Sequence, residues 1–512
     1  MAAPTAEHLA QQLARVSSLP EELIQVVKTA RLALRDDIQL RSIYGQSSSF
    51  WISFAQVWRN QAQLLARGDS TSELASTSRQ AITSLAYLLL SICTNDQHNQ
   101  RNAASKIEPH LRSVLLTASS LTNLENEQFT PMTRACCQAL ANLITGNEEL
   151  ATEVLKARLV LEKDDKLISR LFASQDSQTL EALLIFLLNV IHGSQERSTL
   201  LATWGDGPKV LDRMLVLIDS FTCDEEQVDG ADPSAVKGKE AVFSLGYAIG
   251  EQLIENGAWA QAYENQRAMS GFVISASQTT LLKFLDGYLS EHFQSTPSPP
   301  SPAILSLPSS LTQLLASFTQ ELSTRDRSKD GRDANTLQGA VLAVTCLNSL
   351  GLHGTKGREA IAVGIGPTIA LLAFANSLST PTPQMPLPKL SLIAEDTSTS
   401  STRTWIDPPA IGQIKRECVR FLSIASSDHF KAQEEIREKG GLVMVLGMCQ
   451  IDDSNPTLRE HALFAIRNLL KGNERNQALV AGLEPRYVVG RNGELRDLPA
   501  ALRSDGRHTQ DF

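Results

Sequence analysis

Three asparagines are the residues whose type and spacing first suggest chemistry. Asn142, Asn189 and Asn468 each follow an apolar helical run, and each precedes a glycine by four positions, at Gly146, Gly193 and Gly472. A carboxamide carries both an N–H donor and a carbonyl acceptor, so it can hold an extended peptide through that peptide's backbone. It can equally bond to the backbone of its own chain. The sequence leaves both uses open. One turn earlier stand Gln138, Ile185 and Phe464. Asn142, Asn189, Phe464 and Asn468 are therefore the candidate protein-binding groove.

Catalytic patterns are missing. Gly238-Lys239 runs into Glu240, without the glycine spacing or following hydroxyl of a phosphate loop. Gly364-Ile365-Gly366 reads as a loop between helices, and neither GxSxG nor HExxH occurs. Glu225-Glu226 and Asp452-Asp453 are adjacent carboxylates in polar turns, not an acid and a base facing across a substrate. The nine histidines are scattered, and His192 and His461 read as helix residues, not a metal pair. Seven cysteines, with no CxxC pair and an odd count, fall mostly in apolar runs and are expected reduced and buried. No catalytic residue, cofactor or metal is expected.

The elements that would carry the asparagines are helices. Leu and Ala abound, while aromatic residues make up only 5% of a chain that is 42% hydrophobic. That balance suits helix packing better than sheets. The length of 512 residues allows one long solenoid or about three ordinary domains. The net charge of -9 argues against general nucleic-acid binding. The apolar runs Leu85–Ile92 and Ala182–Ile191 are shorter than the ~20 residues of a bilayer span. The first residues lack a signal peptide's apolar core. The expectation is a cytoplasmic chain without membrane insertion.

Punctuation divides the chain into expected blocks. Residues 1–293 form N-terminal helical repeats, with Glu21–Leu34 the clearest early helix after Pro20 and an acidic loop at 224–238. A Pro/Ser-rich loop covers 294–303, and helices resume from Leu311 in a central block, 304–375. Residues 376–412, rich in Pro, Ser and Thr, read as a disordered linker. A last ordered block spans 413–485, and 486–512 reads as a flexible tail.

Asn142 and Asn189 lie 47 positions apart. Thr130-Pro131 and Asn455-Pro456 both place a capping side chain before a proline that needs no amide partner. Within 433–471 a short helix, the turn Gly440-Gly441, a second helix and a third helix follow in order. A period of about 40–47 residues with short–long–long helices indicates armadillo-like repeats, which bury their apolar faces only by stacking on neighbours. The expected fold is an all-α, armadillo-like α-solenoid.

Residues 416–480 resemble the C-terminal domain of the ataxin-10 family. The resemblance rests on Arg416-Glu417-Cys418-Val419-Arg420-Phe421-Leu422, Gln433, Gly441 and the run from Ile451 to Val480 with its IDDxNP turn, AIRNL helix and NxxNQ. His461 stands where the family commonly has tryptophan, and Ile424 where the preceding repeat usually has asparagine. The resemblance implies a cytoplasmic, non-catalytic scaffold that supports cytokinesis through contacts with proteins of unknown identity. Fungal relatives also carry a copper-transport name, but no methionine cluster or paired thiols back it here. The nuclear-import armadillo proteins pair such asparagines with tryptophans one turn earlier; that ladder is absent, which argues against extended basic nuclear signals as ligands. A homo-oligomer is open. Phosphorylation of Ser391 or of Thr397 to Ser401 could make the chain a cell-cycle switch instead. A hidden enzyme is the alternative from another class.

Overall fold

The computed structural model describes residues 5–35, 37–67, 73–160, 166–223, 233–270, 273–295, 301–324, 332–378, 409–449, 455–483, 487–489 and 495–497. They divide into unit 1, Met1–Tyr288, and unit 2, Leu289–Phe512. Ser391 and 397–401 lie outside the described residues, as do Glu225-Glu226 and Asp452-Asp453.

Unit 1 opens with α1 (Ala6–Val16), α2 (Pro20–Arg35), α3 (Ile38–Gln46) and α4 (Ser48–Arg67). It continues through α5 (Glu73–Cys93), α6 (Gln97–Lys106), α7 (Glu108–Ala118), α8 (Leu121–Leu124) and α9 (Thr130–Ile144). Next come α10 (Glu148–Val160), α11 (Leu167–Leu171), α12 (Ser177–Ile191), α13 (Gln195–Thr203) and α14 (Gly207–Cys223). The last helices are α15 (Pro233–Glu255), α16 (Trp259–Ser270) and α17 (Ala276–Ser295), which carries the chain past Tyr288. One long helix per repeat forms the stack: α2 packs on α5, α5 on α9, α9 on α12 and α12 on α15.

Unit 2 holds α18 (Pro302–Thr324), α19 (Arg332–Gly351), α20 (Gly354–Ile361), a 3-10 turn (Ala362–Gly364) and α21 (Ile365–Leu378). After them come α22 (Pro409–Ser426), α23 (Phe430–Glu438), α24 (Gly441–Gly447), α25 (Leu458–Leu470) and α26 (Glu474–Ala481). Here α18 packs on α19, α19 on α22 and α22 on α25. Each unit is thus an armadillo-like stack of helical repeats, and the all-α expectation holds but for one hairpin. Strands β1 (Tyr487–Val489) and β2 (Leu495–Asp497) pair antiparallel, with Val488 opposite Arg496. They fall where a tail without elements was expected.

Several expected boundaries shift, and proline accounts for three of them. Helices α15, α18 and α22 begin at Pro233, Pro302 and Pro409. A first helical residue donates no intrahelical bond, so proline costs nothing there. The acidic loop, the Pro/Ser-rich loop and the linker are therefore shorter at their C-terminal ends than their composition suggested. At their N-terminal ends, α17 runs to Ser295 and α21 to Leu378. Helix α18 even accommodates Pro308 in its interior, where the ring is buried with Leu307 and Leu311. The expected caps also change. Thr130 is the first residue of α9 instead of its cap, and Asn455 Nδ2 donates to Gly412 O at 2.7 Å, tying the turn to α22.

The repeats share one joint. After most of the stacked helices comes a residue with left-handed backbone: Asn95, Gly146, Gly193, Gly257, Asp428 and Gly472. The next residue often caps the following helix. Asp96 accepts from Asn99 N, Asn147 from Leu150 N, Ser194 from Arg197 N and Asn473 from Asn476 N. The pair reverses the chain and satisfies an orphaned amide in one step.

The core is largely aliphatic along the stacks, with aromatic side chains buried together in α4, at Phe50, Trp51, Phe54 and Trp58, and again at Trp259 and Tyr263 in α16 and at Phe284 in α17. Each such fully buried side chain stabilises by about 1.5–3 kcal/mol. Cys93, Cys136, Cys137, Cys346 and Cys418 are buried, and Cys449 is half-buried. Burial raises the Cys137 thiol to about 12, which removes its thiolate at neutral pH. Gly354–Leu378 is long and apolar enough, by length and composition, to cross a membrane, unlike the shorter runs Leu85–Ile92 and Ala182–Ile191. In unit 2 it is broken by the 3-10 turn, and Ile365, Ile369, Leu371 and Leu372 are buried, with α21 packed on α18 and α22.

Candidate protein-docking faces

The left-handed residue gives a common origin for comparing repeats. Four positions before it stand Asn142, Asn189 and Asn468, as the sequence spacing required. Their amides are used inside the stack. Asn142 Nδ2 donates to Leu90 O at 2.8 Å and to Thr94 Oγ1 at 3.2 Å on the preceding repeat. Asn189 Nδ2 donates to Thr145 Oγ1 at 2.9 Å. Asn468 Nδ2 donates to Ser423 O at 2.9 Å and to Ser423 Oγ at 3.2 Å. Each asparagine thus bridges its helix to the C-terminal end of the previous one.

Eight positions before the same origin lies a more solvent-facing set. It comprises Tyr87, Gln138 and Ile185 in unit 1, and Arg420 and Phe464 in unit 2; the Gly257 repeat departs from it, with Ile249 fully buried at that position. Ile185 is 40% exposed and Phe464 58% exposed. Tyr87 is covered on one side by the Arg31 guanidinium, 4.5 Å from the ring centroid. Tyr87 and Arg420 escaped sequence reading because Asn95 and Asp428 replace the glycine at their joints. The usable signal was a polar pair, Asn95-Asp96 or Asp428-His429, closing an apolar run.

The joint between α23, α25 and α26 is the most elaborate, and it contains the residues on which the resemblance rests. Gln433, 2% exposed, donates Nε2 to Ser426 O at 3.3 Å, Asn468 O at 2.9 Å and Lys471 O at 3.2 Å. Asn476, fully buried, donates Nδ2 to Leu469 O at 2.8 Å. Asn473 Nδ2 donates to Glu434 Oε1 at 3.0 Å, and Gln477 Nε2 to Leu470 O at 2.8 Å. Arg437 foremost, with Asn473 and Arg475, holds the Glu434 carboxyl below its usual range. The same clasp occurs in unit 1, where Gln100 Nε2 donates to Asn142 O at 3.2 Å and Thr145 O at 2.8 Å. Gln433 and the NxxNQ motif therefore lock repeats together by satisfying the orphaned carbonyls of a helix end.

The final stacked helix, α25, carries an open flank. Counted from the joint, Leu463, Ile466 and Leu470 match Cys137, Leu140 and Ile144 of α9 and Leu184, Leu187 and Ile191 of α12. Those six are at most 2% exposed, because the next repeat covers them. Leu463 is 50% exposed, and Ile466 and Leu470 are half-buried. Among the described residues no group of three His, Cys, Asp or Glu side chains could hold a metal ion.

Residues 414–509 match the family described as spinocerebellar ataxia type 10 protein domain. The ataxin-10 homolog of Candida albicans is 45% identical over 76 residues, 15% of this chain and 16% of that protein. Ataxin-10 of Xenopus tropicalis is 37% identical over 103 residues, 19% of this chain and 21% of that protein. The matches thus span about a sixth to a fifth of those relatives' length. Among solved structures, the crystal structure of SYS-1 aligns over 91% of this chain and 86% of that chain, at 11% identity and a TM-score of 0.37. That likeness is loose, and the fold rests on the stacked helices themselves. The domain at 414–509 is thus of the ataxin-10 family.

Proposed function

We propose that the protein is a non-catalytic scaffold that holds other proteins on the exposed faces of its stacked helices. The carrying observation is the repeated solvent-facing position that bears Ile185 in unit 1 and Phe464 in unit 2, beside Asn142, Asn189 and Asn468. Phe464, 58% exposed, stands next to Leu463, 50% exposed, and this adjacent apolar pair on α25 supports reading Phe464 as a docking anchor. The polar partners of Asn142, Asn189 and Asn468 hold this face in place. Support of cytokinesis from the cytoplasm is the finer part of the reading, and the family resemblance is what supports it.

Quantitative affinity capture from growing cells tests the scaffold reading. Phe464→Ala or Ile185→Ala should release at least one captured protein while the thermal midpoint stays unchanged. Loss of an anchor of this kind costs about 2 kcal/mol or more of binding, roughly thirtyfold. An identical set of captured proteins for wild type and both variants would refute the reading.

Self-association is a second reading, favoured by the open flank of α25. The side chains that neighbours bury elsewhere are available there for another copy of the chain. Leu463→Asp should shift the mass measured by multi-angle light scattering towards the monomer. A wild-type protein that is monomeric throughout the micromolar range would rule this reading out.

A further inference from the structure

We propose that the exposed face of α22 and α25 in unit 2 binds an acidic peptide segment of a partner protein, with Arg416 and Arg420 receiving carboxylates and Phe464 receiving a nearby apolar side chain. The inference rests on the docking reading and specifies the chemistry of what docks.

Glu417 is the centre of the cationic half. Its side chain is 9% exposed, and Asn348 Nδ2 donates to Oε2 at 3.1 Å. Arg416 Nε donates to Oε1 at 3.2 Å, while Arg420 Nη1 lies 3.5 Å from Oε2. One buried carboxylate is therefore shared by two guanidiniums, which remain 35% and 39% exposed. A guanidinium has five N–H donors in a planar fork that fits a carboxylate, and these two spend few of them on Glu417. Glu417 is buried while both guanidiniums reach solvent, so N–H donors and not the carboxylate face outward here.

The other charged groups at this face are few. Glu460, exposed on α25, opposes the arginines. His461 has its pKa lowered by burial first and then by Arg420, so it is neutral at pH 7 and adds no charge. The chain as a whole carries -9, which makes a solvent-facing arginine pair stand out and repels long polyanions such as nucleic acid. Complementary charge selects a short acidic segment and rejects a basic one.

Spacing adds a pattern. Arg420 and Phe464 occupy the same position in consecutive repeats, and α22 packs directly on α25. Packed helices lie about 8–10 Å apart. An extended chain covers that distance in about three residues. The expected ligand thus carries Asp or Glu about three residues from a large apolar side chain.

Selection of phage-displayed random peptides on the full-length protein tests this, followed by fluorescence anisotropy with the best synthetic peptide. The variants are Arg416→Gln/Arg420→Gln, in which glutamine keeps a donor for Glu417, and Phe464→Ala. Selected peptides should be enriched in Asp and Glu at the stated spacing from an apolar residue. The double glutamine variant should weaken binding about tenfold, and added salt should weaken the wild type. Peptides with the charge of the starting library, or unchanged affinity in the double variant, would overturn the proposal. If affinity then falls for Phe464→Ala alone, the docking reading survives while the acidic preference does not. If no variant alters affinity, both fall.

Discussion

Replacing Gln433 with leucine should lower the melting temperature of the C-terminal repeats by about 10 °C. The leucine nearly matches the glutamine in size, so cavity formation is not the cause. Gln433 Nε2 serves the carbonyls of Ser426, Asn468 and Lys471, and its Oε1 accepts from Asn473 Nδ2 at 3.3 Å. Leucine removes all of these bonds and buries their partners. A buried polar group left without a partner costs about 1–3 kcal/mol. Water can still reach the carbonyl ends of α25 from the part-buried side, so the total should be about 3–5 kcal/mol, at about 2–4 °C per kcal/mol for a unit of this size. Differential scanning calorimetry gives the shift, and hydrogen exchange of α25 and α26 locates it. A change below about 1 kcal/mol would show that the carbonyls are rehydrated and that the clasp contributes little.

The second large effect should come from a single methyl group. Gly205 sits between α13 and α14 with φ of +54°, and a Cβ there would lie 2.1 Å from Leu159 O. That contact exists because Asp206 N donates to the same carbonyl at 3.2 Å, joining the start of α14 to the end of α10. Gly146 is the natural control. It has φ of +73°, but a Cβ would meet nothing within 4 Å. Gly146→Ala should cost only the left-handed backbone term, about 1–2 kcal/mol. Gly205→Ala should add the clash with a backbone atom and cost about 3 kcal/mol or more. Urea unfolding of the two variants side by side provides the comparison. Equal losses would mean that the α10 end moves freely away from Gly205.

The stacked helices were largely legible in the sequence, because apolar periodicity and a terminal glycine are local signals. The joints at Gly146, Gly193 and Gly472 could be found that way. Those at Asn95 and Asp428 could not, since asparagine and aspartate reach the left-handed region through their own short polar side chains and look like ordinary surface residues. Proline misled in one direction. It marked the loops before α15, α18 and α22 but in fact opens those helices, and Pro308 is carried inside α18. The function of Gln433 and Asn476 was hidden for a different reason. Each serves a carbonyl seven positions back and others 35 to 43 positions away, and nothing local reveals that a carboxamide will reach across a repeat. Phe464 was legible as a candidate, but its exposure could be learned only from the packing around α25.

The clasps have a consequence for how damage spreads. Each connects one layer only to the next, so no residue acts as a keystone for a whole stack. A lesion at Gln433 should loosen the seam around α25 and leave the Gln100 seam intact, and harm at the two places should simply accumulate. Such a chain can tolerate a weak rung where a conventional globule would lose its entire core.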